Sequence, residues 1–101
     1  MNWLVGTYSK RNSEGIYLID LDESSGEMHQ IASFNSSSPK NPSFLITGEN
    51  NKVFSVGEST KEQPGVVCSY NFTSQSLNKI DEIETKGSGP CHLSINKKNN
   101  F

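Results

Sequence analysis

At 101 residues, only 32% of them apolar, the chain has the length of one domain but thin material for an independent core, because small domains bury a modest share of their surface. A formal net charge of −2 supplies no basic field to gather nucleic acid or an anionic membrane. Apolar runs stop at three or four residues, as in Trp3-Leu4-Val5 and Phe44-Leu45-Ile46, far short of the ~20 that a spanning helix needs. The first residues lack the charged-then-apolar layout of an export signal, so the cytoplasm is the expected compartment. Asn35-Ser36-Ser37 and Asn71-Phe72-Thr73 fit the glycosylation triplet, but no export signal supports them. Cys68 and Cys91 both fall in strand-like contexts and are expected as buried free thiols rather than a disulfide or metal pair.

Taken in chain order, short β-rich runs alternate with turn-forming stretches. Trp3 to Tyr8 is the first run, ended by the polar stretch Ser9 to Glu14. Gly15 opens Ile16 to Leu21, and Glu23-Ser24-Ser25-Gly26-Glu27 turns the chain into Met28 to Phe34. Ser36 to Asn41 reads as a loop, with Pro42 biasing Asn41 toward extended backbone. Phe44 to Thr47 and Val53 to Val56 are strands across the hairpin turn Gly48-Glu49-Asn50-Asn51-Lys52, a composition suited to tight turns. Val66 to Phe72 and Leu77 to Ile83 pair around Thr73-Ser74-Gln75-Ser76, and Leu93 to Ile95 begins a last strand. Short strands at this spacing, with no helical period anywhere, mean an all-β fold.

An internal repeat narrows the architecture. Trp3 to Tyr8 lies over Val53 to Glu58, and Gly15-Ile16-Tyr17 over Gly65-Val66-Val67, both fifty residues on. Ile19 and Leu21 match Tyr70 and Phe72 one residue later, while Met28 and Ile31 match Leu77 and Ile80. Pro42-Ser43-Phe44-Leu45 matches Pro90-Cys91-His92-Leu93, and Val53 matches Phe101. A period near fifty residues holding four strands is the size of a β-propeller blade. Lettering strands A to D outward from the propeller axis, residues 3–34 supply strands B to D of a first blade. Residues 41–83 supply a complete second blade, and residues 90–101 begin a third. The expected architecture is a β-propeller fragment: about two four-stranded antiparallel blades out of seven. Seven blades at this period need roughly 340 residues, so the remaining blades of the same propeller are expected partners. The inner strand of the first blade would come from elsewhere, as ring closure removes open sheet edges.

These residues also carry a family resemblance. Gly6-Thr7-Tyr8-Ser9, Gly15-Ile16-Tyr17 and Ser25-Gly26-Glu27-Met28 resemble the opening of the seven-bladed lactonase family, the 6-phosphogluconolactonase type. Asn41-Pro42-Ser43-Phe44-Leu45 and Val53 to Glu58 resemble its next blade. Gly89-Pro90-Cys91-His92-Leu93-Ser94-Ile95 is similar to that family's Gly-x-Pro-Cys-His segment, the most specific match. The turn usually written Asp-x-x-Gly-Lys in that family reads Asn96-Lys97-Lys98-Asn99-Asn100 here and Gly48-Glu49-Asn50-Asn51-Lys52 one repeat earlier. Asn tolerates left-handed backbone, so the turns survive the change. The resemblance implies hydrolysis of a sugar lactone, with 6-phosphogluconolactone as substrate and the pentose phosphate pathway as setting. It implies no obligatory cofactor. A carboxymuconate-cyclase-like isomerase and a non-catalytic propeller binding a ligand or protein are the alternatives, since fold alone does not choose a function.

Lactone hydrolysis is acyl transfer to water and needs a base, a donor for the developing oxyanion and, for a phosphorylated substrate, a cation. His92 is the candidate for proton transfer, since imidazole titrates near neutrality; the alternative is a buried His bonded to backbone. Glu58, at the end of strand B of the second blade, is the candidate to accept a substrate hydroxyl or orient a water; the alternative is a solvated carboxylate. Lys10 and Arg11 read as a solvated loop pair, His29 as an exposed strand residue, and Thr7 and Tyr8 as strand-end packing. Gly87-Ser88-Gly89-Pro90 is not a phosphate loop, because no Lys-Ser/Thr or helix follows it. No metal-ligand spacing occurs, so neither metal nor cofactor is expected.

Overall fold

The computed structural model describes residues 1–35, 38–58 and 64–96. Two antiparallel sheets account for all its regular structure, and no helix occurs among the described residues. The first sheet has order β1-β2-β3, comprising β1 (Asn2–Gly6), β2 (Ile16–Leu21) and β3 (Met28–Phe34). The second has order β4-β5-β6-β7, comprising β4 (Leu45–Thr47), β5 (Lys52–Gly57), β6 (Val66–Thr73) and β7 (Ser76–Glu84). Every strand pairs with its sequence neighbour, so each sheet is a meander held by local turns.

Those turns follow from residue choice. Asn50 and Asn51 both take positive φ, at 57° and 61°, and Lys52 N donates to Glu49 O at 3.2 Å. Two successive left-handed residues give the turn whose twist matches antiparallel strands. Ser74 and Gln75 hold the same conformation, with φ of 51° and 61°, between the paired residues Thr73 and Ser76. After β2, the Asp22 carboxylate accepts from Ser24 N at 3.0 Å and Ser24 Oγ at 2.8 Å. These bonds, the Ser24 hydroxyl first, hold the Asp22 carboxyl below the usual carboxylate range.

The repeat is visible in the ladders. β3 bulges against β2 between Leu18 and Ile19, leaving Ile31 unopposed; β7 bulges against β6 between Ser69 and Tyr70, leaving Ile80 unopposed. Two bulges at matching positions in two sheets are designed features, not irregularities. In sequence, Gly15-Ile16 falls on Gly65-Val66, but Ile16 lies opposite Gly6 whereas Val66 lies opposite Gly57. With Gly6 on Val56, the counterpart of Ile16 is therefore Val67. One extra residue enters ahead of β6, and because side chains alternate, it moves Val66 to the other face of the sheet.

The sheets pack face to face. Ile16, Val53, Val66, Cys68 and Tyr70 form the buried core, flanked by Leu4, Phe34, Leu45, Phe72 and Leu77. Leu18, Val56, Cys68 and Ser55 are fully buried; each such aliphatic side chain contributes about 1.5–3 kcal/mol. Within the interface the buried Ser55 hydroxyl bonds the Tyr70 hydroxyl at 2.8 Å. Beside it Glu82 accepts from Ser38 Oγ at 2.6 Å, Lys79 Nζ at 2.7 Å and Cys68 Sγ at 3.4 Å. No buried side-chain N or O among the described residues lacks a partner. Cys68 is buried as expected, but Cys91 is exposed: it precedes the segment lying on the second sheet and belongs to no strand.

Candidate functional site

The ends of β1 and β5 and the segment before β4 meet at one place. Glu58 follows Gly57, where β5 ends, and its amide donates to Asn41 O at 3.2 Å. Its carboxylate accepts two hydroxyls on separate oxygens: Tyr8 Oη at 3.0 Å on Oε1, and Ser43 Oγ on Oε2. Glu58 is thus half-buried and doubly held, not a carboxylate merely in solvent. Asn41 anchors the same corner. Its side-chain oxygen accepts from Ser9 N at 2.9 Å and its amide donates to Ser9 Oγ at 3.0 Å, tying the loop after β1 to the second sheet. Asn41 takes positive φ, 51°, which Asn tolerates better than most residues.

Tyr8 stands 47% exposed at this corner and reaches the second repeat through its hydroxyl. Lys10 Nζ lies 5.4 Å from the ring centroid, within cation–π range. The hydrogen bond to Glu58, then the negative charge of that carboxylate, raises the Tyr8 hydroxyl above its ordinary pKa, with a smaller contribution from the Cys91 thiol. His92 approaches the same corner through Phe44, the residue after Ser43. The His92 ring lies against Phe44, with centroids 4.5 Å apart at 40°. His92 is exposed in this chain. Among the described residues no hydrogen bond joins Glu58 to His92. They are linked through consecutive residues, Ser43 on Glu58 and Phe44 on His92. Of the remaining polar candidates, Arg11 and His29 are exposed, and no group of three or more His, Cys, Asp or Glu among the described residues could hold a metal ion.

Sequence reasoning named Glu58 and His92 as candidates but missed Ser43 and Tyr8 as the hydroxyl donors to Glu58. The available signal was the repeat itself, because Tyr8 and Glu58 occupy the same place in successive copies, and Ser43 and Cys91 do likewise.

Comparison with known proteins decides the architecture. Residues 2–101 match the family described as Lactonase, 7-bladed beta-propeller. The chain belongs to this seven-bladed lactonase family. Within it, the chain is 32% identical over 104 residues to the 6-phosphogluconolactonase of Bacillus subtilis (strain 168), covering 96% of this chain and 28% of that protein. Among solved structures, it is similar to the periplasmic gluconolactonase PpgL of Pseudomonas aeruginosa. That match has a TM-score of 0.81 at 28% identity, over 97% of this chain and 28% of that one. A candidate 6-phosphogluconolactonase of Bacteroides fragilis NCTC 9343 matches with a TM-score of 0.78 at 33% identity, over 94% of this chain and 26% of that one. The chain spans about a quarter of the length of these lactonase relatives. The Tyr8–Glu58–Ser43 corner lies just past the ends of β1 and β5 and just before β4.

Proposed function

We propose that the chain forms one wall of a lactonase site that hydrolyses 6-phosphogluconolactone to 6-phosphogluconate. The observation that carries this reading is the 32% identity to a 6-phosphogluconolactonase across 96% of the chain, together with the convergence of Glu58 and His92 on residues 43 and 44. In this reading the exposed His92 imidazole takes the proton of the attacking water as general base. Each Glu58 oxygen uses one acceptor position on Tyr8 or Ser43 and retains another. That remaining capacity accepts a sugar hydroxyl and orients the lactone ring. The later blades of the propeller supply the rest of the site. The reaction needs no cofactor, and the compartment proposed is the cytoplasm, to be checked by cell fractionation because one similar protein is named periplasmic.

A chimera tests this: residues 2–101 replace the matching segment of the Bacillus subtilis relative, and hydrolysis is followed above the spontaneous rate. The expected result is an active chimera in which His92→Ala lowers kcat by about 10²–10⁴-fold, with KM nearly unchanged. Near-normal turnover in His92→Gln, which keeps a hydrogen-bonding group but cannot titrate near neutrality, would remove His92 from the mechanism. A folded chimera without hydrolysis would favour a ligand-binding propeller instead.

A further inference from the structure

The loop between the two sheets is seated on strand backbone. A Cβ on Gly6 would collide with Pro42 O, and one on Gly57 would collide with Pro39 Cβ. Glycine at the ends of β1 and β5 therefore lets residues 39–42 lie directly against both strands, where a larger residue would hold them off. Asn41 stands at the centre of this contact. It is 9% exposed, and it and Ser55 are the two buried polar residues among the described residues.

Buried polar groups need partners, and the bonds of Asn41 lead to all three members of the Tyr8–Glu58–Ser43 corner. Its main-chain carbonyl accepts from Ser43 N at 2.7 Å and from Glu58 N at 3.2 Å, using both lone pairs. One carbonyl thus fixes the backbone of both partners in the Ser43–Glu58 bond. The side-chain oxygen accepts from Ser9 N at 2.9 Å, while the Asn41 amide donates to Ser9 Oγ at 3.0 Å. Ser9 follows Tyr8, whose own carbonyl accepts from Lys10 N at 2.9 Å. Through Ser9 the carboxamide reaches the third member, Tyr8.

The repeat separates what the backbone needs from what the side chain adds. Asn41 holds φ of 51° immediately before Pro42, and its counterpart Gly89 holds 67° immediately before Pro90. Both copies place a left-handed residue ahead of the proline, a conformation that persists only where the surroundings determine it. Glycine alone satisfies that backbone. What asparagine adds at residue 41 is the oxygen that holds Ser9. We propose, on the reading of Glu58 as acceptor of a sugar hydroxyl, that Asn41 is a positioning residue of the lactone site. Its carboxamide holds Ser9, and with it Tyr8, against Glu58, so that the acceptor capacity Glu58 retains keeps one orientation. Being buried, Asn41 acts through Tyr8 and Glu58 and not on the substrate itself.

Asn41→Gly and Asn41→Asp, made in the active chimera described above, test this. Gly keeps the left-handed backbone but removes the oxygen that holds Ser9; Asp keeps both. In Asn41→Gly the Tyr8 ionisation, read as the phenolate absorbance that Tyr8→Phe removes, is expected to fall toward its ordinary value. KM for 6-phosphogluconolactone is expected to rise about fivefold, the worth of one hydrogen bond, with kcat changed less than about twofold. Asn41→Asp is expected to retain the late Tyr8 ionisation and a KM within about twofold of the parent. An unchanged Tyr8 ionisation or an unchanged KM in a folded Asn41→Gly chimera overturns the proposal, as does an Asn41→Asp chimera that behaves like Asn41→Gly. If Asn41→Gly loses its β circular-dichroism signature, Ser9→Ala, which removes the reciprocal bond from the Asn41 amide, should shift Tyr8 in the same direction; no shift overturns the proposal. A parent chimera that folds without hydrolysing the lactone sinks the lactonase reading instead, and the Tyr8 titration then decides by itself whether Asn41 positions Tyr8 on Glu58.

Discussion

The Tyr8 hydroxyl donates to the Glu58 carboxylate at 3.0 Å across a separation of 50 residues, and the two are the same position in consecutive repeats. A propeller places equivalent residues of neighbouring blades side by side, so a difference between repeats becomes a contact between them. Here one copy supplies the donor and the other the acceptor.

This contact sets a titration. Hydrogen bonding to Glu58, then its charge, raises the Tyr8 hydroxyl above the ordinary value of 10.0. Because the folded-state pKa lies above the unfolded one, the contact adds stability below that ordinary value and loses it as pH rises through the raised one. Phenolate absorbance, with Tyr8→Phe identifying the Tyr8 component, is expected to show late ionisation. Glu58→Gln should bring it back toward the ordinary value; an unchanged Tyr8 titration in Glu58→Gln would refute the assignment.

The two cysteines should differ sharply in reactivity. Burial, then the bond to Glu82, pushes the Cys68 thiol up to about 12, so at pH 8 only about one molecule in ten thousand carries the reactive thiolate. Cys91 is exposed. Brief alkylation of the native chain followed by peptide mass spectrometry should find Cys91 modified and Cys68 intact. Equal labelling of the two would contradict the buried environment of β6.

The Ser55–Tyr70 pair can be tested by a double-mutant cycle. Tyr70→Phe or Ser55→Ala alone leaves a buried hydroxyl without its partner, at a cost of about 1–3 kcal/mol. Removing both should cost less than the sum of the single changes, with a coupling of about 1 kcal/mol in urea unfolding. Strict additivity would mean that the hydroxyls do not interact.

The β6–β7 turn offers a gain in stability. Ser74 and Gln75 hold φ of 51° and 61°, a region costly for most side chains and natural for Asn and Gly. Replacing the pair by Asn-Gly should stabilise the chain by about 1 kcal/mol, read as a higher urea midpoint with an unchanged slope. A lower midpoint would show that other contacts of these side chains outweigh the backbone strain.

Strands β1 to β7, their order within each sheet and the repeat were legible in the sequence, because alternation, turn chemistry and Gly/Pro punctuation are local properties, but Leu93 to Ile95, expected to begin a last strand, joins no sheet. Glu58 was legible as a candidate because it ends a strand, and His92 because of its imidazole and the family resemblance of its segment. Side-chain facing was not. Lys79 and Glu82, three apart on a strand, should point to opposite faces, yet the bulge at Ile80 puts both on one side and lets them meet at 2.7 Å. The same limit hid the displaced start of β6, the exposure of Cys91 and the seating of Glu58 on Tyr8 and Ser43. Each depends on one residue inserted into a ladder or on two segments brought together from far apart in the chain. Local sequence determines which residues form strands; only the packed sheets decide which way those residues point and what they touch.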